Sequence, residues 1–196
     1  MDHRLLQSVS FWEFLFSIDN QFAVAACLAG CPCGGRLHRA DYPRKPQGGP
    51  KGLPRECTYR LSFCCNREGC RKRVTPQSVR FLGRKVYFAA VIVLVAAMRQ
   101  GPTPRRVREL TKLFDVDSRT IARWRVFWRE QFPQTAFWKV ERGQLALLLE
   151  LDDLPLTLLM VFFRDGDPDP KENWKRLLSF LSPITITGGL KMEVLR

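Results

Sequence analysis

The sequence predicts a mainly α-helical fold with one small β element, followed by a three-helix unit and a helical C-terminal extension, and three observations predict it. Two cysteine clusters flank a stretch, 42–54, that holds four prolines and three glycines in thirteen residues. From 104 to 131 apolar side chains recur at helical spacing: Val107, Leu110, Leu113 and Phe114, then Ile121, Trp124 and Trp128. Beyond 144 the chain is rich in leucine and nearly free of glycine until its last residues. With 196 residues, 45% of them hydrophobic and 11% aromatic, the chain can bury one ordinary core or two small ones.

The N-terminal segment, 1–30, reads as an amphipathic helix. Phe11, Trp12, Leu15, Phe16, Phe22 and Ala26 fall mostly on one face, and Asp19 with Asn20 suggests a break. Its aromatic stripe would dock on the rest of the protein or on a second copy. Residues 27–31, CLAGC, have the form of a lipoprotein cleavage site, but Glu13, Asp19, Asn20 and Gln21 interrupt the apolar core that an export signal requires.

The next unit spans 31–75. Its middle, 42–54, is a loop, because proline and glycine at that density exclude regular structure. The stretches GRLHRADY and CTYRLSF on either side alternate like short strands. Seven cysteines cannot all pair, which favours a reducing compartment and a cytoplasmic location. Six of them cluster: Cys27, Cys31 and Cys33, then Cys64, Cys65 and Cys70. Two short pairs on tight turns bring four sulfurs to one point, the donor set of a structural Zn2+ site. Cys31 with Cys33 and Cys65 with Cys70 form the expected pairs, with Gly34, Gly35 and Gly69 giving the turns their freedom, and Cys27, Cys57, Cys64 and His38 stand as substitutes. A sheet this small needs the metal to fold.

Residues 76–137 are expected to form a three-helix unit, with helices at 85–100, 104–114 and 118–131. The apolar run 86–98 is thirteen residues long, short of the ~20 that span a bilayer, so it reads as a buried helix. Asp115 and Val116 make the turn between the next two helices, and Asp117 or Ser118 caps the second. Aspartate is one of the few residues that tolerate the left-handed conformation such a turn requires. This is the layout of a helix-turn-helix. With Ile121, Trp124 and Trp128 inward, Arg119, Thr120 and Arg123 face outward near the second helix's start, where base edges of a major groove are read. Arg105, Arg106 and Arg108 are placed for phosphates.

Charge points to the same partner. The formal net charge is +13, and residues 36–108 hold 18 basic side chains against 3 acidic ones, an excess of 15. Polyanions are attracted to such a field, nucleic acid before an anionic membrane surface. Arg71, Lys72 and Arg73, directly after Cys70, would ride on the ribbon's last strand and extend a footprint along the duplex.

The residues CPCGG and CCNREGCRKR, followed by the helical pattern, resemble the N-terminal zinc ribbons of bacterial insertion-sequence transposases and their accessory proteins. The second knuckle of those proteins often reads C-x4-C with basic residues behind it. The resemblance covers roughly 31–135 and implies a zinc ribbon plus helix-turn-helix that binds double-stranded DNA. The first knuckle departs from it, being C-x-C where C-x-x-C is usual.

Residues 138–196 form a helical C-terminal extension, either packing on the helical body or making a homodimer interface. Glu150, Asp152, Asp153, Asp165, Asp167, Asp169 and Glu172 lie there, but 59 residues are too few for a nuclease core of mixed sheet and helix. DGDPDP imitates a calcium loop, with Pro170 where glycine is needed and Arg176 where glutamate is needed. The expectation is a non-enzyme with no membrane partner, a transposase-like regulator or accessory protein of a mobile element. The rivals are a metal-dependent nuclease using those carboxylates and a zinc module that binds RNA or protein.

Overall fold

The computed structural model describes residues 3–44, 49–50, 52–82, 86–87, 103–145, 154–163 and 169–186. After a 3-10 turn at His3–Gln7, helix α1 runs unbroken over Val9–Ala29. The break expected at Asp19 and Asn20 does not occur, because Asp19 points inward and is fully buried. Phe11, Trp12, Leu15 and Ile18 line the same buried side.

The β region is built of strands of two or three residues. β1 (Leu37–Arg39), β4 (Phe63–Cys65) and β5 (Arg73–Val74) form an antiparallel sheet in the order β1-β4-β5, with Leu37 opposite Cys65 and Cys64 opposite Arg73. β2 (Tyr42–Pro43) pairs with β3 (Tyr59–Arg60) in a separate hairpin. The expected loop therefore gives up its first two residues to a strand. Pro43 is tolerated there because a two-stranded hairpin is all edge. The side of α1 that carries Ala23 covers Leu61 and Phe63, making a small core of their own.

β6 (Phe81–Leu82) pairs with β7 (Val86–Tyr87). The helix expected over 85–100 is thus replaced by strand at 86–87, and the rest of that run lies outside the described residues.

Helix α2 (Pro104–Phe114) starts where Thr103 Oγ1 accepts the Arg106 N–H, with Pro104 at the first helical position. It ends at Asp115, which is left-handed with φ 50° and ψ 49°. Two residues later the Asp117 carboxylate accepts the Arg119 N–H at 2.7 Å and opens α3 (Ser118–Val126). The helical path continues as a π turn, Phe127–Gln131, and a 3-10 turn, Phe132–Gln134, into α4 (Ala136–Leu145). α5 (Leu156–Phe162) and α6 (Pro170–Leu181) follow, α6 capped by Asp169. The main core gathers Leu110, Phe114, Ile121, Trp128 and Trp138 from the middle of the chain with Trp12 of α1 and Trp174 and Leu178 of α6. The C-terminal helix is therefore used in packing.

The parts meet at residues 76–81. Arg80 is fully buried, and its guanidinium reaches Asp19 Oδ2 at 2.7 Å and the carbonyls of Cys57 and Tyr59 at 2.8 and 3.1 Å. It also lies 4.7 Å from the ring centroids of both Phe16 and Phe81. Asp19 accepts the Val79 N–H and the Ser78 hydroxyl as well, so both charges are saturated. The Ser78 N–H then donates to Thr185 Oγ1, and the Ser182 hydroxyl to Gln77 Oε1, which joins the end of α6 to the same segment.

Candidate metal centre

The sulfurs of Cys31, Cys33, Cys65 and Cys70 all lie within 4.8 Å of one another. Cys31 to Cys70 is 3.7 Å and Cys33 to Cys65 is 3.5 Å. A disulfide would bring two sulfurs to about 2.05 Å. A tetrahedron with Zn–S of about 2.3 Å has edges of about 3.8 Å. The separations match the tetrahedron, so donor type, number and spacing are those of a structural zinc site.

Two turns present the four ligands. In the first, the Gly34 N–H bonds the Cys31 carbonyl at 2.8 Å and Gly34 takes φ 79°. Gly35 is needed for another reason. A Cβ there would stand 2.5 Å from Cys65 Sγ and 2.9 Å from Arg67 Cβ, so only hydrogen fits between the knuckles. In the second turn the Cys70 N–H bonds the Arg67 carbonyl at 3.1 Å and Gly69 has φ 79°. The Arg67 N–H points at Cys65 Sγ at 3.4 Å, while its guanidinium donates to the Cys33 carbonyl and ties one knuckle to the other. Nothing in the sequence pattern marked Arg67; only its place inside C-x4-C could have.

Crowding four thiols makes them titrate unequally. The Gly35 N–H directed at Cys33, helped by hydrogen bonds from Cys70 and Cys31, draws Cys33 down to about 6. Cys65 accepts the Arg67 N–H, which alone lowers its pKa, but burial and the three neighbouring sulfurs outweigh that and push it up to about 12. A divalent cation resolves this conflict, since it stabilises all four as thiolates. When bound, zinc supplies folding energy to the β region, and four protein ligands leave it no open position for a substrate.

The four possible substitutes lie elsewhere. Cys27 is exposed on α1. Cys57 is buried in the main core, its thiol toward the Trp12 carbonyl at 3.8 Å. Cys64 and His38 sit opposite each other on β4 and β1, and strand alternation turns Cys64 to the face opposite Cys65.

The cationic residues singled out from the sequence fall into three groups. On α3, Arg119 and Arg123 are exposed, Thr120 is half-buried, and Arg123 Nη2 donates to Thr120 Oγ1 at 2.9 Å, while Ile121 and Trp124 are buried behind them. On α2, Arg105, Arg106 and Arg108 are exposed, but Glu109 pairs with both Arg105 at 3.2 Å and Arg106 at 3.5 Å. In the β region only Arg73 lies on the last strand; Arg71, with φ 45°, and Lys72 belong to the turn before it. Arg60 and Arg80, part of the basic excess counted above, are buried and add nothing to the surface.

No family model, no curated protein and no solved structure matches the chain. Among the described residues no helix is long and apolar enough to cross a membrane.

Proposed function

We propose that this chain is a non-catalytic, zinc-stabilised nucleic-acid-binding module in which α2 and α3 dock on duplex DNA as a helix-turn-helix. The observation that carries the reading is the joint itself. A left-handed Asp115 and an Asp117 cap set two short helices against one core, and the exposed start of the second presents Arg119, Thr120 and Arg123 together. Arginine can take guanine O6 and N7 with two parallel bonds, and threonine can meet a base edge or a thymine methyl. The surrounding basic surface supplies the phosphate contacts that position such a helix. The likeness of the two knuckles to insertion-sequence transposases would make the chain a regulator or accessory factor of a mobile element.

A specific observation favours a second reading, a zinc module whose partner is RNA or protein. Glu109 already occupies two of the three arginines expected to grip phosphate, which weakens the duplex footprint of α2. The nuclease reading draws less support. Asp169 is spent as a helix cap and Glu172 pairs with Lys175 at 3.2 Å, while residues 150, 152, 153, 165 and 167 lie outside the described residues.

Fluorescence anisotropy decides between these. Duplexes selected from a random library should bind with an affinity that falls steeply with salt. Arg123→Ala should cost about 1–3 kcal/mol on the selected site and much less on random duplex. RNA that outcompetes duplex would establish the second reading, and indifference to both at low ionic strength would remove the nucleic-acid reading altogether.

A further inference from the structure

Two guanidiniums flank one phenol ring where β1 turns into β2, and a third arginine lies across the strand pair from it. Arg44 stands 5.0 Å from the centroid of Tyr42, and its Nη2 bonds the Tyr42 hydroxyl at 3.1 Å. Arg73, reaching over from β5, stands 5.4 Å from the same centroid. Arg60 is the cross-strand partner of Tyr42 and is almost completely buried. Like charges on one ring repel each other unless something negative joins them.

Among the described residues little that is negative is left for Arg73. Asp41, the adjacent carboxylate, is used up: Oδ2 takes Arg39 Nε at 2.6 Å and Oδ1 takes the Ser62 N–H at 3.0 Å. Among the described residues neither Arg60 nor Arg73 pairs with a carboxylate. Arg60 instead spends its donors on the carbonyls of Pro76 and Gln77. Arg73 is exposed yet fixed, because its Nη1 donates to the Ala40 carbonyl at 2.8 Å and to Ser62 Oγ at 2.6 Å. That leaves Nε and Nη2 without a partner among the described residues. A guanidinium held beside a ring and by two acceptors has already lost most of its rotamer freedom, so an anion that meets it costs little further entropy.

We infer that the Tyr42, Arg44 and Arg73 corner is a second anion seat of this chain, built for the phosphodiester groups of a nucleic-acid backbone and separate from the α2–α3 surface. The inference rests on the nucleic-acid reading and adds to it a contact in the β region. Arg73 was expected to touch DNA from its place after Cys70; Tyr42 and Arg44 enter only through the structure. The seat reads charge and geometry rather than sequence, so single strands and duplexes are both candidate sources of the phosphodiester.

The test uses the full zinc-loaded chain with two probes, an oligothymidylate of about 20 nucleotides and a random duplex of similar length. Arg44→Gln/Arg73→Gln should bind about tenfold more weakly at about 100 mM salt, with a shallower dependence of log affinity on log salt. A loss confined to the oligothymidylate would place unpaired strands in the seat, and a loss confined to the duplex would place duplex backbone there. Arg55→Gln is the control. Arg55 is exposed and bonds the hydroxyl of Tyr59 at 3.0 Å, and strand alternation puts Tyr59 on the other face of the hairpin from Tyr42. Zinc content per chain confirms that the variants fold, and Arg73→Lys, which keeps the charge but not the fork, should recover only part of the loss. If the wild type binds either probe and the double variant is no weaker than Arg55→Gln, the seat is overturned while the α2–α3 reading stands. If the wild type binds neither probe, both fall together, and Arg123→Ala on the selected site remains the separate measure of the helix pair.

Discussion

Around the four sulfurs, strands of two or three residues rest on a core of Ala23, Leu61 and Phe63, whereas the helices bury Trp12, Trp128, Trp138 and Trp174 together with many leucines and phenylalanines. One region has almost no apolar surface to remove from water, and the other has a great deal. Burial at about 25 cal/mol per Å² can support the second and cannot support the first. The difference assigns the metal its work: it stands in for the core that the β region lacks. It also explains why ligands, glycines and Arg67 crowd one end of the sheet, since the fold there is specified by what surrounds the ion.

The largest expected effect follows directly. Structural zinc contributes apparent binding free energies of about 10–16 kcal/mol in small metal-stabilised units, far more than any single contact in this chain. Removing it with a chelator, or replacing one ligand with Cys65→Ser, should abolish amide protection over 31–39 and 63–74. Protection over 104–145 and 170–181 should survive. Hydrogen exchange with and without chelator reads both at once. Loss of protection in the helices to the same degree would show that the two regions are one cooperative unit and that the metal supports both.

A middle-sized effect sits at the joint between them. Arg80 and Asp19 are both without solvent exposure, and each satisfies the other. Asp19→Ala leaves a guanidinium buried without its countercharge, a loss of about 3–5 kcal/mol in denaturant unfolding. Asp19→Leu/Arg80→Met removes both charges and should be less destabilised than Asp19→Ala. If the double variant is the worse of the two, the carbonyl contacts of Arg80, and not the ion pair, are what hold α1 to the segment at 76–81.

Local chemistry was legible in the sequence and distant pairing was not. The two cysteine pairs, the left-handed turn at Asp115 and the cap at Asp117 each depend on residues within a few positions, where spacing carries the information. Asp19 and Arg80 are 61 positions apart, and a lone aspartate among apolar residues reads as a helix break until its partner is seen. Gly35 reads from the sequence as a source of backbone freedom, yet its reason is the Cys65 sulfur from the other knuckle. The strand at Val86–Tyr87 was hidden because a short apolar run fits a buried helix and a buried strand equally well. Summed charge overstated the basic surface for the same reason: position along the chain does not tell a buried Arg60 or Arg80 from an exposed Arg119.

The smallest effect concerns the one cysteine that is part of the main core. Cys57 is buried in the main core, and burial pushes its thiol above the ordinary range, with only partial relief from Arg80. Below about pH 8.5, the usual thiol value, folded and unfolded chains both keep this proton and pH changes nothing. Above it the unfolded chain releases the proton while the folded chain retains it, so stability falls as pH rises toward the folded value, by at most about 1.4 kcal/mol per unit. Cys57→Ala removes that term and leaves the four zinc ligands in place. Unfolding free energies of wild type and variant should therefore converge between about pH 8.5 and 10, on top of a constant packing difference. A difference that stays flat across that interval would mean that the thiolate is tolerated inside the core, and that the main core is less apolar around Cys57 than its aromatic packing implies.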